Sequence, residues 1–345
     1  MPRPTFRLAW TADFVQPDGS PRFADVGRAL LDAHPHLHAT TYPQHHPEIQ
    51  PDQLEGLHGA IVLTPRVTAA SLAHADQLLA ITRFGVGYDS VDVAACTRAG
   101  VLAIITAGAV DRSMAEATLT WMLALTHHVR MKDRLVREGR WNDRAAFMGS
   151  ELRGRTLGIV GLGGIGRALV SLCQGLGMNR PLAHDPCLTP TMADDLGVTA
   201  VSLPDLLSQA DFVSLHCPLT PQTRGLIGAA ELARMKPTAY LINTARGGIV
   251  DEDALFNALH HQRIAGAALD CFAEEPPPST PRLAQLDNVL LAPHAIGWTH
   301  ELFRDIGQAA CQSLVDLSLG VRPRGVLNPE VFDHPGFQAK WRPWC

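Results

Sequence analysis

Three side chains and two glycine-rich turns in this 345-residue chain are of types that bind anions or move protons. Arg246 lies in Asn243-Thr-Ala-Arg246-Gly247-Gly248, where two glycines leave room for a ligand to approach. A guanidinium forks onto a carboxylate through two parallel N–H donors, which suits anchoring an α-keto acid. An arginine so placed equally serves to cap a helix end. His294 stands in Pro293-His294-Ala-Ile-Gly297, and imidazole is the side chain that gives and recovers a proton near neutral pH. Glu275, in Glu274-Glu275-Pro276, is an ordinary acid by itself. Paired with His294, it would raise the imidazole pKa and keep a proton available for carbonyl reduction. Gly85-Val86-Gly87 offers backbone N–H groups with no bulky side chain in the way, which suits an anion cradle.

The second glycine-rich turn is Gly161-Leu-Gly163-Gly164-Ile165-Gly166, set between an apolar run and a helical pattern. A short apolar run, Leu157–Val160, leads into it. A helical pattern leaves it, with Ile165, Ala168, Leu169, Leu172, Cys173 and Leu176 on one face and Gly177 at its end. A further apolar segment reaches Asp185, nineteen positions past Gly166. Gly161 permits the tight turn, Gly163 lets the backbone approach a pyrophosphate, and Gly166 lets the helix pack closely on the strand. The helix N-terminus offers unpaired N–H groups to the anion. Asp185 accepts from ribose hydroxyls and repels a 2′-phosphate, so the spacing predicts a site for NAD rather than NADP.

In a doubly wound sheet, ligands bind outside the carboxyl ends of the strands, and each candidate follows a predicted strand. Up to residue 104 the pattern alternates. Strands are expected at Phe6–Trp10, Ala60–Leu63, Leu78–Thr82 and Val101–Ile105, with helices at Phe23–Ala33, Val67–Ala75 and Asp92–Ala99. Ser113 with Glu116 reads as a capping box. It would open an apolar helix through about Val129, buried all round as a spine between domains. Arg130–Arg140 reads as a solvated helix face. Beyond Asp185, helices are expected at Leu203–Ser208, Ala229–Met235 and Asp251–His260. Strands are expected at Asp211–His216, Ala239–Asn243, Gly266–Asp270 and Val289–Ala292. That makes six strands over roughly 150–295, a Rossmann sheet. A helix at Glu301–Leu319 is expected to return the chain to the first domain, and the tail from Arg322 shows no period. The predicted division is 1–106 with 300–345, and 107–299.

Composition narrows the rest. This length suits two domains. A net charge of −5 and a pI near 6.3 leave no basic footprint for nucleic acid. No apolar run is long enough for a membrane span, and the start MPRPTFRLAW lacks a secretory core. Seven scattered cysteines without CxxC read as reduced thiols of a cytoplasmic protein. The histidines at 34, 36, 38, 45 and 46 lie in a Pro-rich polar stretch and read as surface residues, so no metal is expected.

The chain resembles the D-isomer-specific 2-hydroxyacid dehydrogenases from about residue 55 to 330. The resemblance runs through Arg83-x-Gly85-x-Gly87-x-Asp89, the nucleotide motif, His216-Cys217-Pro218-Leu-Thr220-x-x-Thr223, Met235-Lys-Pro237, Arg246-Gly247 and Pro293-His294. It implies an α/β protein of two Rossmann-like domains, a flavodoxin-like substrate domain and a doubly wound NAD-binding domain, with the active site in the cleft between them. It implies His294 as proton donor, Glu275 as its partner and Arg246 as carboxylate anchor. Gly85, Val86 and Gly87 would hold the carboxylate's other side, with Phe84 and Trp298 beside the substrate's side chain. Gly161, Gly163, Gly164, Ile165 and Gly166 would face the pyrophosphate, and Asp185 the ribose. Cys217, Pro218 and Thr223 would line the adenosine and phosphate side. Thr244, Ala245, Arg246, Asp270, His294 and Gly297 would surround the nicotinamide. The implied activity is NADH-dependent reduction of a small 2-keto acid, glyoxylate or hydroxypyruvate, by a homodimer joined through the NAD-binding domain. Phosphoglycerate dehydrogenase is the alternative. Enzymes of that kind tend to carry a phosphate-binding arginine after the strand matching Ala60–Leu63, where this chain reads Leu63-Thr-Pro-Arg66. A corepressor-like NAD(H)-sensing scaffold is the reading from another class.

Overall fold

The computed structural model describes residues 3–345. Its strands are β1 (Phe6–Trp10), β2 (Leu37–Thr41), β3 (Gly59–Val62), β4 (Ala80–Arg83), β5 (Leu102–Ile105) and β6 (Leu157–Val160). There follow β7 (Leu182–His184), β8 (Thr199–Ala200), β9 (Phe212–Leu215), β10 (Tyr240–Asn243), β11 (Gly266–Leu269) and β12 (Val289–Leu291). The α-helices begin with α1 (Arg28–Asp32), α2 (Val93–Arg98), α3 (Asp111–Thr126), α4 (Val129–Arg137), α5 (Gly164–Cys173) and α6 (Pro190–Asp195). They continue with α7 (Leu203–Gln209), α8 (Ala229–Leu232), α9 (Glu252–His260), α10 (His300–Ser318) and α11 (Pro335–Trp341). The chain divides into two compact units, Met1–Val110 with Trp298–Cys345, and Asp111–Gly297.

The first unit holds a parallel sheet in the order β2-β1-β3-β4-β5. Parallel strands covered on both faces read as unbroken apolar runs, and Ala60, Ile61, Val62, Ala80 and Ile81 are fully buried. Asp92 caps α2 by accepting the Ala95 N–H at 2.8 Å. Three local expectations are corrected here. Phe23–Ala33 is helical only over Arg28–Asp32, because Asp25 accepts the Gly27 N–H at 2.8 Å and Gly27 turns left-handed (φ 74°). Val67–Ala75 contributes one short 3₁₀ turn, Ser71–His74, while Val67 bridges to Val91 as extended chain. The His-rich stretch contains β2, an edge strand with its middle residues exposed, so it lacks the apolar alternation that marks a strand.

The tail also corrects the reading. It forms α11 and flanking 3₁₀ turns, too short to show a period, and buries Phe337 and Trp344. Trp341 Nε1 donates to the Leu317 carbonyl at 2.9 Å, tying it to α10. Lys340 Nζ donates to the carbonyl of Leu78 at 2.9 Å, and burial pulls its pKa down to about 8.

The second unit is a parallel sheet in the order β12-β11-β10-β9-β6-β7-β8, with the strand order reversing at β6. It has seven strands rather than six, since β8 is a two-residue exposed pair that no pattern could reveal. Helix α3 starts at Asp111, which puts Ser113 inside the first turn instead of at the cap, and Glu116 pairs with Arg112. It ends at Thr126, and left-handed His128 (φ 52°) separates it from α4. It buries Trp121, Met122 and Leu125 but leaves Leu123 39% exposed, so it is one-sided rather than buried all round. Helix α5 stops at Cys173 because Gly175 turns left-handed (φ 86°), which leaves Leu176 outside it. Helix α8 ends at Leu232, short of Met235.

Candidate active site

Strands β10, β11 and β12 are neighbours, and their carboxyl ends deliver Arg246, Asp270 and His294 to one edge of the second sheet. Asp270 organises that edge. Its own N–H donates to the Asn243 carbonyl at 3.0 Å, and its carbonyl accepts the His294 N–H at 2.7 Å. Its Oδ1 accepts the N–H groups of Ala295 at 2.8 Å and Ile296 at 3.0 Å. Burial raises its pKa, and those two amides oppose the rise. Held this way, His294 adopts a left-handed backbone (φ 53°). A non-glycine residue there is uncommon and is kept by its surroundings.

The ring turns to Glu275, with Nδ1 2.7 Å from Oε2. The other carboxylate oxygen accepts the Phe272 N–H at 2.8 Å, so Glu275 is anchored on both sides. Burial pushes Glu275 up. The hydrogen bonds from His294 and Phe272, with the charges of His294 and Arg246, outweigh it and leave its pKa lowered. Nδ1 of His294 is thereby committed, and Nε2 is left as the position that can exchange a proton with a ligand.

Arg246 follows β10 in a turn pinned by Asn243, whose Nδ2 donates to the Arg246 carbonyl at 2.8 Å. The next residue must be glycine, because a Cβ on Gly247 would enter the Phe272 carbonyl. That close approach brings the Arg246 turn against the loop carrying Glu275. Thr244 is buried beside them, its Oγ1 3.4 Å from Thr118 Oγ1 of α3. Gly297 packs on Met114 of the same helix.

The dinucleotide loop lies at the turn from β6 into α5. Gly161 has φ 92°, and a Cβ on it would stand 2.7 Å from the Cys217 N atom, so glycine is required twice over. Gly163, the N-cap of α5, has no side-chain cap and nothing within 4 Å of where a Cβ would be. The first-turn N–H groups of α5 therefore face an open position suited to a phosphate. Asp185 accepts the Leu162 N–H at 2.8 Å and the Cys187 N–H at 2.7 Å, which fixes its carboxylate at the end of β7 while leaving lone pairs for hydroxyl donors. Burial pushes the Cys217 thiol up to about 11, so it is a packing group rather than a nucleophile. Thr223 Oγ1 donates to the Pro218 carbonyl at 2.6 Å. The residues present fit NAD.

In the first unit, Gly85 (φ 130°) follows β4, and its carbonyl accepts the Thr106 N–H at 3.1 Å. Phe84 is 3% exposed, its ring 4.9 Å from Phe14 and 6.1 Å from Phe303. Trp298, 57% exposed, contacts Phe23 and Phe303. Phe84 and Trp298 are thus the buried and exposed ends of one aromatic cluster. Arg66 uses its backbone to bridge to Glu48 and leaves its side chain exposed. Two further acids lie near these loops. Asp13 after β1 accepts the Thr64 N–H at 2.9 Å, and its position past a strand end was the available signal. Asp111 lies against the dinucleotide loop, and no pattern marked it.

A surface cavity of about 440 Å³, lined by Pro237, His260, Ile264 and Asn288, lies at the amino ends of β10–β12, away from every candidate residue. Among the described residues the seven cysteines are free, no three metal-ligating side chains gather, and no helix is long and apolar enough to cross a membrane.

Comparison with known proteins gives consistent matches. Residues 119–295 match the model described as D-isomer specific 2-hydroxyacid dehydrogenase, NAD binding domain. A glyoxylate reductase of Korarchaeum cryptofilum is 39% identical over 282 residues, covering 80% of this chain and 85% of that protein. A D-3-phosphoglycerate dehydrogenase of Synechocystis is 40% identical over 279 residues, covering 81% of this chain and 50% of that protein. The chain thus spans about half the length of that relative. The crystal structure of a glyoxylate reductase from Paecilomyes thermophila aligns with a TM-score of 0.78 at 27% identity, covering 95% of this chain and 99% of that one.

Proposed function

The chain belongs to the D-isomer specific 2-hydroxyacid dehydrogenase family, and we propose that it reduces a small 2-keto acid of the glyoxylate or hydroxypyruvate type with NADH. The observation that carries this reading is the Glu275–His294 hydrogen bond at the strand edge that also holds Arg246. NADH would supply the hydride. His294 would give the carbonyl oxygen a proton from Nε2, with Glu275 holding the ring and stabilising the charged imidazolium. Arg246 would fork onto the substrate carboxylate and polarise the neighbouring carbonyl. In the first unit, the backbone N–H groups of Gly85, Val86 and Gly87 would serve as donors to a carboxylate. Asp185 would take the adenosine ribose hydroxyls, and the N-terminus of α5 the pyrophosphate.

A second reading, oxidation of D-3-phosphoglycerate, draws on relatives of that name and on the exposed Arg66 after β3 as a phosphate ligand. Val129, Val136, Trp141 and Met148 are exposed apolar side chains of the second unit, and we assign them to contacts with a second copy of the chain in a cytoplasmic homodimer. Trp141→Glu with Met148→Glu is expected to yield a monomer by light scattering.

The test of function is NADH oxidation by purified protein with glyoxylate, hydroxypyruvate, pyruvate and phenylpyruvate, and NAD reduction with D-3-phosphoglycerate. Preference for an unphosphorylated keto acid supports the first reading, and turnover of the phosphorylated substrate alone replaces it with the second. Silence across the panel with NADH still bound favours an NAD(H)-sensing scaffold.

A further inference from the structure

The helix end that would take the dinucleotide's phosphates already has an acid beside it. Helices α3 and α5 pack with their N-terminal ends together, and Asp111 opens the first turn of α3. A Cβ on Gly164, the first residue of α5, would stand 2.5 Å from Asp111 Cγ, so the carboxyl group lies directly against that turn. One residue earlier, Gly163 is open. An α-helix N-terminus attracts an anion through its free N–H groups and its dipole. A carboxylate and a pyrophosphate there repel each other at short range.

We propose that the Asp111 carboxylate opposes the cofactor's pyrophosphate at the N-terminus of α5, so that NADH binding takes up a proton at Asp111 and is weaker where that carboxyl is ionised. This rests on reading Gly161–Gly166 as the dinucleotide loop. Asp111 is poised for that exchange, since burial alone already raises its pKa in the free protein. The charged side chains around it are otherwise engaged or belong to neighbouring groups. On α3, Arg112 and Glu116 pair with each other at the surface. On α5, Arg167 donates to the Leu162 carbonyl at 3.0 Å. The strands packed on α3 carry Arg246, Asp270 and His294 past their ends, and α4 carries its basic residues beyond the opposite end of α3.

The sign follows from linkage. An added phosphate charge raises the Asp111 pKa further in the complex, so protons are taken up on binding between the free and bound values. Below the free value the carboxyl is neutral in both states and costs nothing. Above the bound value its full repulsion opposes the cofactor.

The experiment is calorimetric titration of NADH into wild type, Asp111→Asn and Asp111→Ser, with adenosine as a ligand lacking phosphate. Buffers of different ionisation enthalpy report the protons taken up. Both variants are expected to bind NADH about tenfold tighter than wild type near pH 8, with the gap closing as pH falls through the Asp111 titration, without proton uptake and with adenosine affinity unchanged. Equal or weaker NADH binding by folded variants overturns the proposal and makes Asp111 a structural helix-end acid. Should the Asn variant fail to fold, the Ser variant decides. NADH binding by none of the three overturns the dinucleotide reading and this inference together, whereas binding by all with equal affinity overturns the inference alone.

Discussion

His294 Nδ1 stands 2.7 Å from Glu275 Oε2, and the histidine reaches that position from a left-handed backbone (φ 53°) gripped by Asp270. The grip is threefold: the Asp270 carbonyl takes the His294 N–H, and Oδ1 takes the next two amides. Left-handed geometry costs a non-glycine residue roughly 1–3 kcal/mol, and the buried carboxylate offsets it. Asp270→Ala leaves two amides without their acceptor. It is expected to destabilise the protein by about 2 kcal/mol and to lower kcat far more than it weakens NADH binding. Thermal melting and initial rates check both. An unchanged kcat would remove Asp270 from the positioning of His294.

His294→Ala is expected to lose at least about a hundredfold in kcat while binding NADH as before. Glu275→Gln keeps the shape and removes the charge that stabilises the imidazolium. It is expected to lose activity and to alter the acid side of the rate profile. Glu275 has a lowered pKa, so it stays ionised below the ordinary glutamate range, and its support is lost only as pH falls through that lowered value. A pH–rate profile of the Gln variant identical to wild type would assign Glu275 no part in the proton transfer.

Cofactor choice should turn on Asp185. Its carboxylate holds the amides of Leu162 and Cys187, so Asp185→Ala is expected to weaken NADH through a looser loop and to relax discrimination against NADPH. Steady-state kinetics with both cofactors measure this. Comparable kcat/KM for NADH and NADPH in the wild type would sink the assignment.

Acid stability has a specific contributor in His216. Its Nε2 is 2.8 Å from Ser214 Oγ, its Nδ1 is buried without a partner, and burial lowers its pKa to about 4. The unfolded chain binds a proton near the ordinary histidine value, and the folded one not until about pH 4. Folding stability is therefore lost as pH falls between those values, by up to about 3 kcal/mol. Denaturant titrations of His216→Gln across that range should show a shallower decline. An unchanged slope would place the acid sensitivity elsewhere.

How far the residues announced this arrangement follows from their physics. Strands of a covered parallel sheet are short apolar runs, and β1, β3, β6, β9, β10 and β11 all stand within a residue or two of where such runs place them. Arg246 and His294 were readable because each comes shortly after a short apolar run, β10 and β12, whereas Asp270 entered only through the family resemblance. The edge strands β2 and β8 were not, because they bury little and carry no period. Phe23–Ala33 failed for a local reason, an Asp25–Gly27 turn that outweighs the propensity around it. The Asp270 grip and the placement of Asp111 depend on contacts between segments far apart in sequence, which no window of neighbouring residues contains.

The division of the chain carries a consequence for its synthesis. The first unit needs residues from Trp298 onward, including α10, whose Leu314 and Leu317 are fully buried. A nascent chain emerging from the ribosome has all of Asp111–Gly297 available before the first unit can close. Domains fold as units as they become complete, so the inserted unit matures first, although its host was begun earlier. Until the last residues arrive, the first sheet is missing its covering helix and its apolar surface is open to aggregation and to chaperones. Truncation before α10 would therefore leave a folded dinucleotide unit tethered to an unfinished one.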